Sequence, residues 1–408
     1  MKHPRFRQVD NSAAILGRNG CSDVPSFELD PIGLLSQRPH FNGHKFQERL
    51  RLSIVILGPS VASSDANGHA TIYRGLVREL SARGHDILFL ERCPEGRWTN
   101  HGLPNSSHGR MELYCSVKEL KNRFAAAVRE ADFVMVGSDL QDGIAIGDWV
   151  TRTAQGATAF YDIDTPVTMA GLIKGKGDHI SAALIPRFQI YLSVTGGSAL
   201  EYIEEKFNSP KARPLHCAAD ASLYFPEHRE MSWDLGYLGS YSDDRQLTLE
   251  RLFLETARRW EGGRFVVAGA RYPRSIRWPR NVSRLSHLSP SRHRAFHNSQ
   301  RFTLNITRTG AIASSFSPRV RLFEAAACGT PIISDYWPGV ETFFKPDEEI
   351  LISHSSDETL VYLEEISELD RRRIGYRARE RVLSTHTTRH RAAELENYIL
   401  EMVNPIFA

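Results

Sequence analysis

At 408 residues, with 41% hydrophobic and 24% charged residues, the chain has a globular composition and is long enough for two domains, each with its own core. Its 51 Lys and Arg against 48 Asp and Glu leave a formal charge of +3, spread along the chain instead of gathered into a stripe, so no nucleic-acid partner is expected. The opening MKHPRFRQVDNSAAILGRNG lacks the apolar segment of a secretion signal, and no window approaches roughly 18 uninterrupted apolar residues; the expectation is a cytoplasmic protein without a transmembrane segment.

Residues 1–50 hold scattered Pro, Gly, His and Asn with no lasting period and read as an N-terminal extension. LSIVILG at 52–58 is a short apolar strand, followed by a Gly, Ser and Asn loop, an amphipathic helix and a second strand ending near Glu91. A helix near 118–130, the strand DFVMVG at 132–137, a helix at 143–155, ATAFYDID at 157–164 and FQIYLSV at 188–194 continue the alternation. Strands with little polar alternation, separated by helices, predict a mostly parallel sheet covered on both faces. After the mixed stretch 214–232 the pattern restarts: DLGYLG, a helix around 245–260, RFVVAG at 264–269, TLNI at 303–306, a helix at about 318–328, PIIS at 331–334 and EILI at 349–352. The fold class is therefore α/β, with Rossmann-like domains at 51–225 and 226–385. Residues 386–408 form a last helix that either closes the second domain or crosses back to the first.

FSPRVRLFEAAACGTPIISD, residues 316–335, carries the most chemistry. Ser317 and Pro318 suit a helix entrance, and Gly329 and Pro331 a stop. Ala325, Ala326, Ala327 and Gly329 leave room for a close approach by a backbone or a ligand. Arg321 and Glu324 stand three residues apart, which reads in two ways. One is an exposed salt bridge worth about 0.2 to 0.5 kcal/mol. The other is a carboxylate that accepts ribose hydroxyls while Arg319, Arg321 and helix N–H groups face a diphosphate.

This segment, its approach RFTLNITRTGAI, and NGHATIYRGLVRELSARGHDILFLE (67–91), FYDIDTPVT (160–168), YLSVTGGSAL (191–200) and WDLGYLGSYSDDRQ (233–246) together resemble the CgeB-like glycosyltransferases, which are similar to the GT-B superfamily. The resemblance spans roughly residues 51–380. It implies the GT-B fold: two facing Rossmann-like domains with a central cleft, the nucleotide-sugar donor on the second domain and the acceptor on the first. It also implies that Glu324 matches the later glutamate of the retaining nucleotide-sugar motif, which contacts ribose. The earlier glutamate of that motif, eight positions upstream, is here Phe316.

Further candidates lie at strand ends, where parallel sheets bind ligands. Gly58, Gly68 and His69 follow the first strand, without the GxGxxG of a dinucleotide site. His69 is either a catalytic residue or a helix-start hydrogen bonder. Asp162 and Asp164 are candidates for an acceptor-side base, or else turn carboxylates, with Thr165 beside them in the cleft wall. Gly196 and Gly197 either line the cleft or make a tight turn. Gly239, Ser240 and Tyr241 are candidates for a floor under the diphosphate, with Arg245 and Arg308 as its cations.

His293 and His297 have helical spacing but no HExxH context and read as surface residues. The cysteines at 21, 93, 115, 217 and 328 show no CxxC pair, so reduced thiols and no metal are expected. The leading function is transfer of a sugar from a nucleotide diphosphate sugar to an unidentified acceptor, with no cofactor required. Nucleotide-sugar epimerisation or hydrolysis, and non-catalytic nucleotide-sugar binding, are the alternatives. The sequence leaves the oligomeric state open.

Overall fold

Seven parallel strands build the first sheet of the computed structural model, which describes residues 51–59, 68–93, 109–307 and 318–403, the side chains of 68 and 69 excepted. They are β1 (Ser53–Leu57), β2 (Asp86–Arg92), β3 (Arg110–Tyr114), β4 (Phe133–Gly137), β5 (Ala157–Asp162), β6 (Ile190–Ser193) and β7 (Ala212–Pro214), in spatial order β3-β2-β1-β4-β5-β6-β7. Every residue of β4 and β5 is buried, which is why these strands read as unbroken apolar runs. The order reverses between β1 and β4, so their C-terminal ends flank a switch point where open α/β sheets leave a crevice. Helices α1 (Gly68–Ala82), α2 (Val117–Glu130), α3 (Gly143–Thr153), α4 (Thr165–Ile173) and α5 (Ser198–Phe207) make the crossovers. In α2, Ser116 Oγ accepts from Glu119 N at 3.1 Å while Glu119 Oε2 accepts from Cys115 N, and Leu120, Phe124 and Val128 form its buried stripe.

The second sheet repeats the plan with six strands: β8 (Trp233–Leu238), β9 (Phe265–Ala268), β10 (Val282–Leu285), β11 (Gln300–Asn305), β12 (Ile332–Ser334) and β13 (Leu351–Ile352), ordered β10-β9-β8-β11-β12-β13. Its switch point lies between β8 and β11. Helix α6 (Asp243–Leu249) runs through a π turn at Glu250–Leu254 into α7 (Glu255–Arg259); α8 (His293–Asn298), α9 (Val320–Ala327), α10 (Val340–Phe343), α11 (Ser356–Glu365), α12 (Glu368–Thr385) and α13 (Thr388–Val403) follow.

Helix α13 packs on α1 of the first domain. Arg83 Nε donates to Glu396 at 2.7 Å, His85 Nε2 meets the same carboxylate at 2.9 Å, and Lys211 bonds Glu401 at 2.6 Å. One apolar cluster is continuous from Ile54, Met135 and Tyr161 through Leu395 to Phe323 and Phe343, so both domains share it. Among the described residues, no helix is long and apolar enough to cross a membrane.

Candidate functional site

Helix α9 starts at Val320, two residues later than the Ser317–Pro318 entrance predicts, with Arg319 in the cap position in extended conformation and without a side-chain cap bond. Ser317 lies outside the described residues. At the other end Gly329 takes φ +72°, a left-handed stop that its missing Cβ permits. The small residues answer to packing: a Cβ on Gly375 of α12 would stand 2.1 Å from Gly329 O, so two backbones meet there.

Glu324, on α9, is 0% exposed. Its Oε2 accepts from Arg321 Nη1 at 2.5 Å, the same nitrogen lies 2.7 Å from His293 Nδ1, and the buried Tyr224 hydroxyl also faces the carboxylate. The pair is thus real but interior, so of the two readings the exposed salt bridge does not hold. Burial by itself would push the Glu324 carboxyl up; the Arg321 charge overcomes it and holds the group below its ordinary range.

His293 and His297 are also corrections, because α8 buries both against this pair instead of exposing them. Desolvation lowers them to about 4 and about 3, so they stand neutral, and both nitrogens of His297 lack a partner. Arg245, Arg319 and Arg321 converge on one small cavity of about 20 Å³ with His297, Tyr237 and Asn305, room for a water molecule, at the C-terminal ends of β8 and β11. That is the switch point of the second sheet. Arg308 lies outside the described residues.

The loop after β8 is pinned. Gly239 N donates to Ala268 O at 2.9 Å, Tyr272 Oη donates to Gly239 O at 2.7 Å, and Arg245 Nη2 donates to Ser240 O at 2.9 Å. A Cβ on Gly239 would meet the Tyr237 hydroxyl at 2.6 Å. Tyr241 donates to Asp243 Oδ1 at 2.5 Å. Sequence reasoning missed Asp335, which accepts from Thr307 N at 3.0 Å and from its hydroxyl at 3.1 Å, and which burial pushes up to about 6.

In the first domain Asp162 is 0% exposed and both its oxygens are engaged: Tyr191 Oη donates at 2.5 Å, Thr168 Oγ1 at 2.9 Å and Asp164 N at 3.2 Å. It anchors the start of α4. Thr165 is likewise buried, bonded to Ser193 Oγ at 2.7 Å. Asp164 stays partly exposed in the cap position of α4. Gly196 is buried, while Gly197 is exposed at φ +66°, ψ −148°, a conformation glycine alone adopts freely, and leads into α5.

Gly58 is buried with a Cβ position 2.8 Å from the Phe89 ring, so it serves packing. Gly68 and His69 open α1, and their side chains lie outside the described residues. The β4–α3 loop adds groups the sequence did not flag: Asp139 and Asp142 at φ +62° and +61°, and an Asp139–His179 ion pair at 3.1 Å that raises the imidazole's affinity for a proton. Among the described residues, no three His, Cys, Asp or Glu are grouped to hold a metal.

Residues 245–397 match the family model described as glycosyl transferase-like. No curated protein sequence matches the chain. Solved structures with the same arrangement include a sucrose-phosphate synthase from Thermosynechococcus elongatus, at 14% identity and a TM-score of 0.61 over 85% of this chain and 98% of that one. An alpha-glucosyltransferase in complex with UDP-glucose and abasic DNA superposes at 12% identity and 0.65 over 86% and 99%. HepE of Anabaena, in complex with UDP and glucose, does so at 11% and 0.61 over 86% and 99%. Two parallel Rossmann-like sheets, each with its switch point, thus give the chain a GT-B-like fold.

Proposed function

We propose that the protein is a glycosyltransferase of the CgeB-like group, which moves a sugar from a nucleotide diphosphate sugar to a nucleophilic group on an acceptor. The observation that carries this reading is the convergence of Arg245, Arg319 and Arg321 beside Glu324 at the second sheet's switch point, inside the segment matched by the glycosyl transferase-like model. Guanidiniums fixed by the fold oppose the charge that grows on a departing nucleoside diphosphate without reorganising during the reaction. Glu324 holds the Arg321 guanidinium in place, and its carboxylate is the acceptor for a ribose hydroxyl only if donor binding uncovers this buried group. On the first domain the buried Asp162 positions α4, and the partly exposed Asp164 is the carboxylate within reach of an acceptor.

Since structures sharing the fold were solved with UDP or UDP-glucose, UDP-glucose is the first donor to test. The experiment incubates the full-length protein with UDP-glucose and a panel of other nucleotide sugars, with and without candidate acceptors, and follows nucleotide release and glycosidic product. Acceptor-dependent product supports transfer. A change of sugar stereochemistry, or cleavage by water alone, supports an epimerase or hydrolase; binding of UDP without turnover across the panel supports a binding protein.

A further inference from the structure

Cys93 and Cys115, far apart in sequence, stand side by side in the fold. Strands β2 and β3 pair in parallel through Arg92 and Tyr114, and the next residue on each chain is a cysteine. Cys93 N donates to Tyr114 O at 2.8 Å, which extends the ladder by one step, and the two thiols are hydrogen-bond neighbours. Neighbouring strands lie about 4.8 Å apart. That separation falls within the Cα–Cα range of about 4.4 to 6.8 Å that a disulfide spans. Both cysteines are reduced; Cys93 is buried and Cys115 partly open to solvent. The two other described thiols, Cys217 and Cys328, are both buried.

We propose that Cys93 and Cys115 form a redox-modifiable dithiol that closes to an intramolecular disulfide on meeting a low-molecular-weight disulfide such as oxidised glutathione. The Cys115 thiol, the more accessible, loses its proton and attacks one sulfur of the oxidant, whose S–S bond breaks to release one glutathione thiolate. Cys93 then loses its proton and attacks the Cys115 sulfur of the mixed disulfide, expelling the second glutathione. Two protein thiols are oxidised by two electrons, one glutathione disulfide is reduced to two thiols, and the two protons pass to the released thiolates.

Closure needs rotation of the two side chains towards each other. It joins β2 and β3 at their C-terminal ends, the edge of the sheet where Arg92 already pairs with Asp142 of the β4–α3 loop. Burial, the Cys93 thiol and the Glu119 charge all push the Cys115 thiol up against the opposing Arg123, so its thiolate is scarce near neutrality. Closure is therefore slow at neutral pH and accelerates by roughly tenfold per pH unit until the thiol titrates.

The test incubates the reduced, full-length protein with oxidised glutathione at about pH 7 and about pH 8.5, quenches by alkylation in denaturant, and maps the peptides. The expected result is that alkylatable thiols fall from the five of the sequence to three. The intact mass drops by two hydrogens, a Cys93–Cys115 cross-linked peptide appears faster at the higher pH, and dithiothreitol reverses all of it. Cys93→Ser should instead accumulate a stable glutathione adduct on Cys115. Five alkylatable thiols after prolonged oxidation, a lasting glutathione adduct on Cys115 of the unmutated protein, or a cross-link from either cysteine to Cys21 would each overturn the proposal.

Discussion

Arg321 and Glu324, one turn apart on α9, form an ion pair of 2.5 Å in which the carboxylate is fully buried and the guanidinium side chain is 27% exposed. Burial changes the size of its effect. An exposed i,i+3 pair contributes about 0.2 to 0.5 kcal/mol, whereas breaking a buried one leaves a charge without compensation and costs about 3 to 5 kcal/mol. Arg321→Gln is therefore expected to lower the free energy of unfolding by about 3 kcal/mol in urea titrations, more than Glu324→Gln, which leaves the partly hydrated guanidinium. Because the folded Glu324 carboxyl sits below its ordinary value, its contribution is complete above the unfolded pKa of about 4.3 and is lost as pH falls below it. In Glu324→Gln, assayed where it is folded, UDP-glucose affinity should fall by about one to two powers of ten; unchanged affinity would remove Glu324 from the donor site.

Asp162→Asn tests the opposite placement. Burial pushes this carboxyl up to about 6, so the folded state favours the protonated form and the site's contribution to stability declines as pH rises from about 4 through about 6. Asparagine keeps one oxygen for Thr168 Oγ1 and Asp164 N and presents its amide to the Tyr191 hydroxyl. The variant should be more stable at pH 7 by about 2 kcal/mol, with a flatter stability profile between pH 4 and 6. Sugar-transfer turnover should stay within a few fold of the unmutated protein; a loss of roughly hundredfold or more would restore Asp162 as an acid–base group.

The central strands were legible because burial on both faces writes them as unbroken apolar runs, as in FVMVG and ATAFYD. The strands RMELY, ARP and VSRL, each at an edge of its sheet, were not, since half-exposed residues there leave no run and no alternation. Glu324 and its arginines announced themselves by local pattern. Whether the pair was exposed or interior depended on α8, whose His293 meets Arg321 from 28 residues upstream, and no local pattern carries that. Thr165 and Asp162 meet the same limit: strand-end polar residues read alike whether they face the crevice or tie down the following helix.

The junction between the domains carries a pH prediction. His216 stacks edge-on against Phe343 at 5.0 Å between ring centroids, and His386 lies 5.2 Å from Phe323. Arg391 Nη2 meets His386 Nδ1 at 2.8 Å, Arg391 Nε donates to His216 O at 3.0 Å, and Glu394, Arg381 and His390 complete the surroundings. Burial, with Arg391 adding to it, lowers His216 to about 4 and His386 to about 3. Both are neutral when folded, so the unfolded chain binds more protons below its ordinary histidine pKa of about 6.5; the stability is present above that value and falls as pH drops towards 4. Urea titrations across this window should show the decline, and His386→Gln should make it shallower.

Tyr73 and Gly137 offer a cleaner test of packing at the first switch point. A Cβ on Gly137, the last residue of β4, would lie 1.9 Å from the Tyr73 hydroxyl, 2.9 Å from its ring carbon and 3.3 Å from Leu57 O. The ring cannot swing aside, because it stands edge-on between Phe89 at 5.6 Å and Tyr161 at 6.0 Å, all of them buried. Gly137→Ala should therefore destabilise by about 2 to 3 kcal/mol through overpacking. The Tyr73 hydroxyl is itself buried and makes no hydrogen bond, so Tyr73→Phe removes an unsatisfied group and should be neutral or stabilising by up to about 1 kcal/mol. In the double variant the closest clash is gone while the ring carbon remains too near, so rescue should be partial, with a coupling of about 1 to 2 kcal/mol in a double-mutant cycle. Simple additivity of the two changes would show that β4 shifts to admit the methyl group and that the hydroxyl does not set the requirement for glycine.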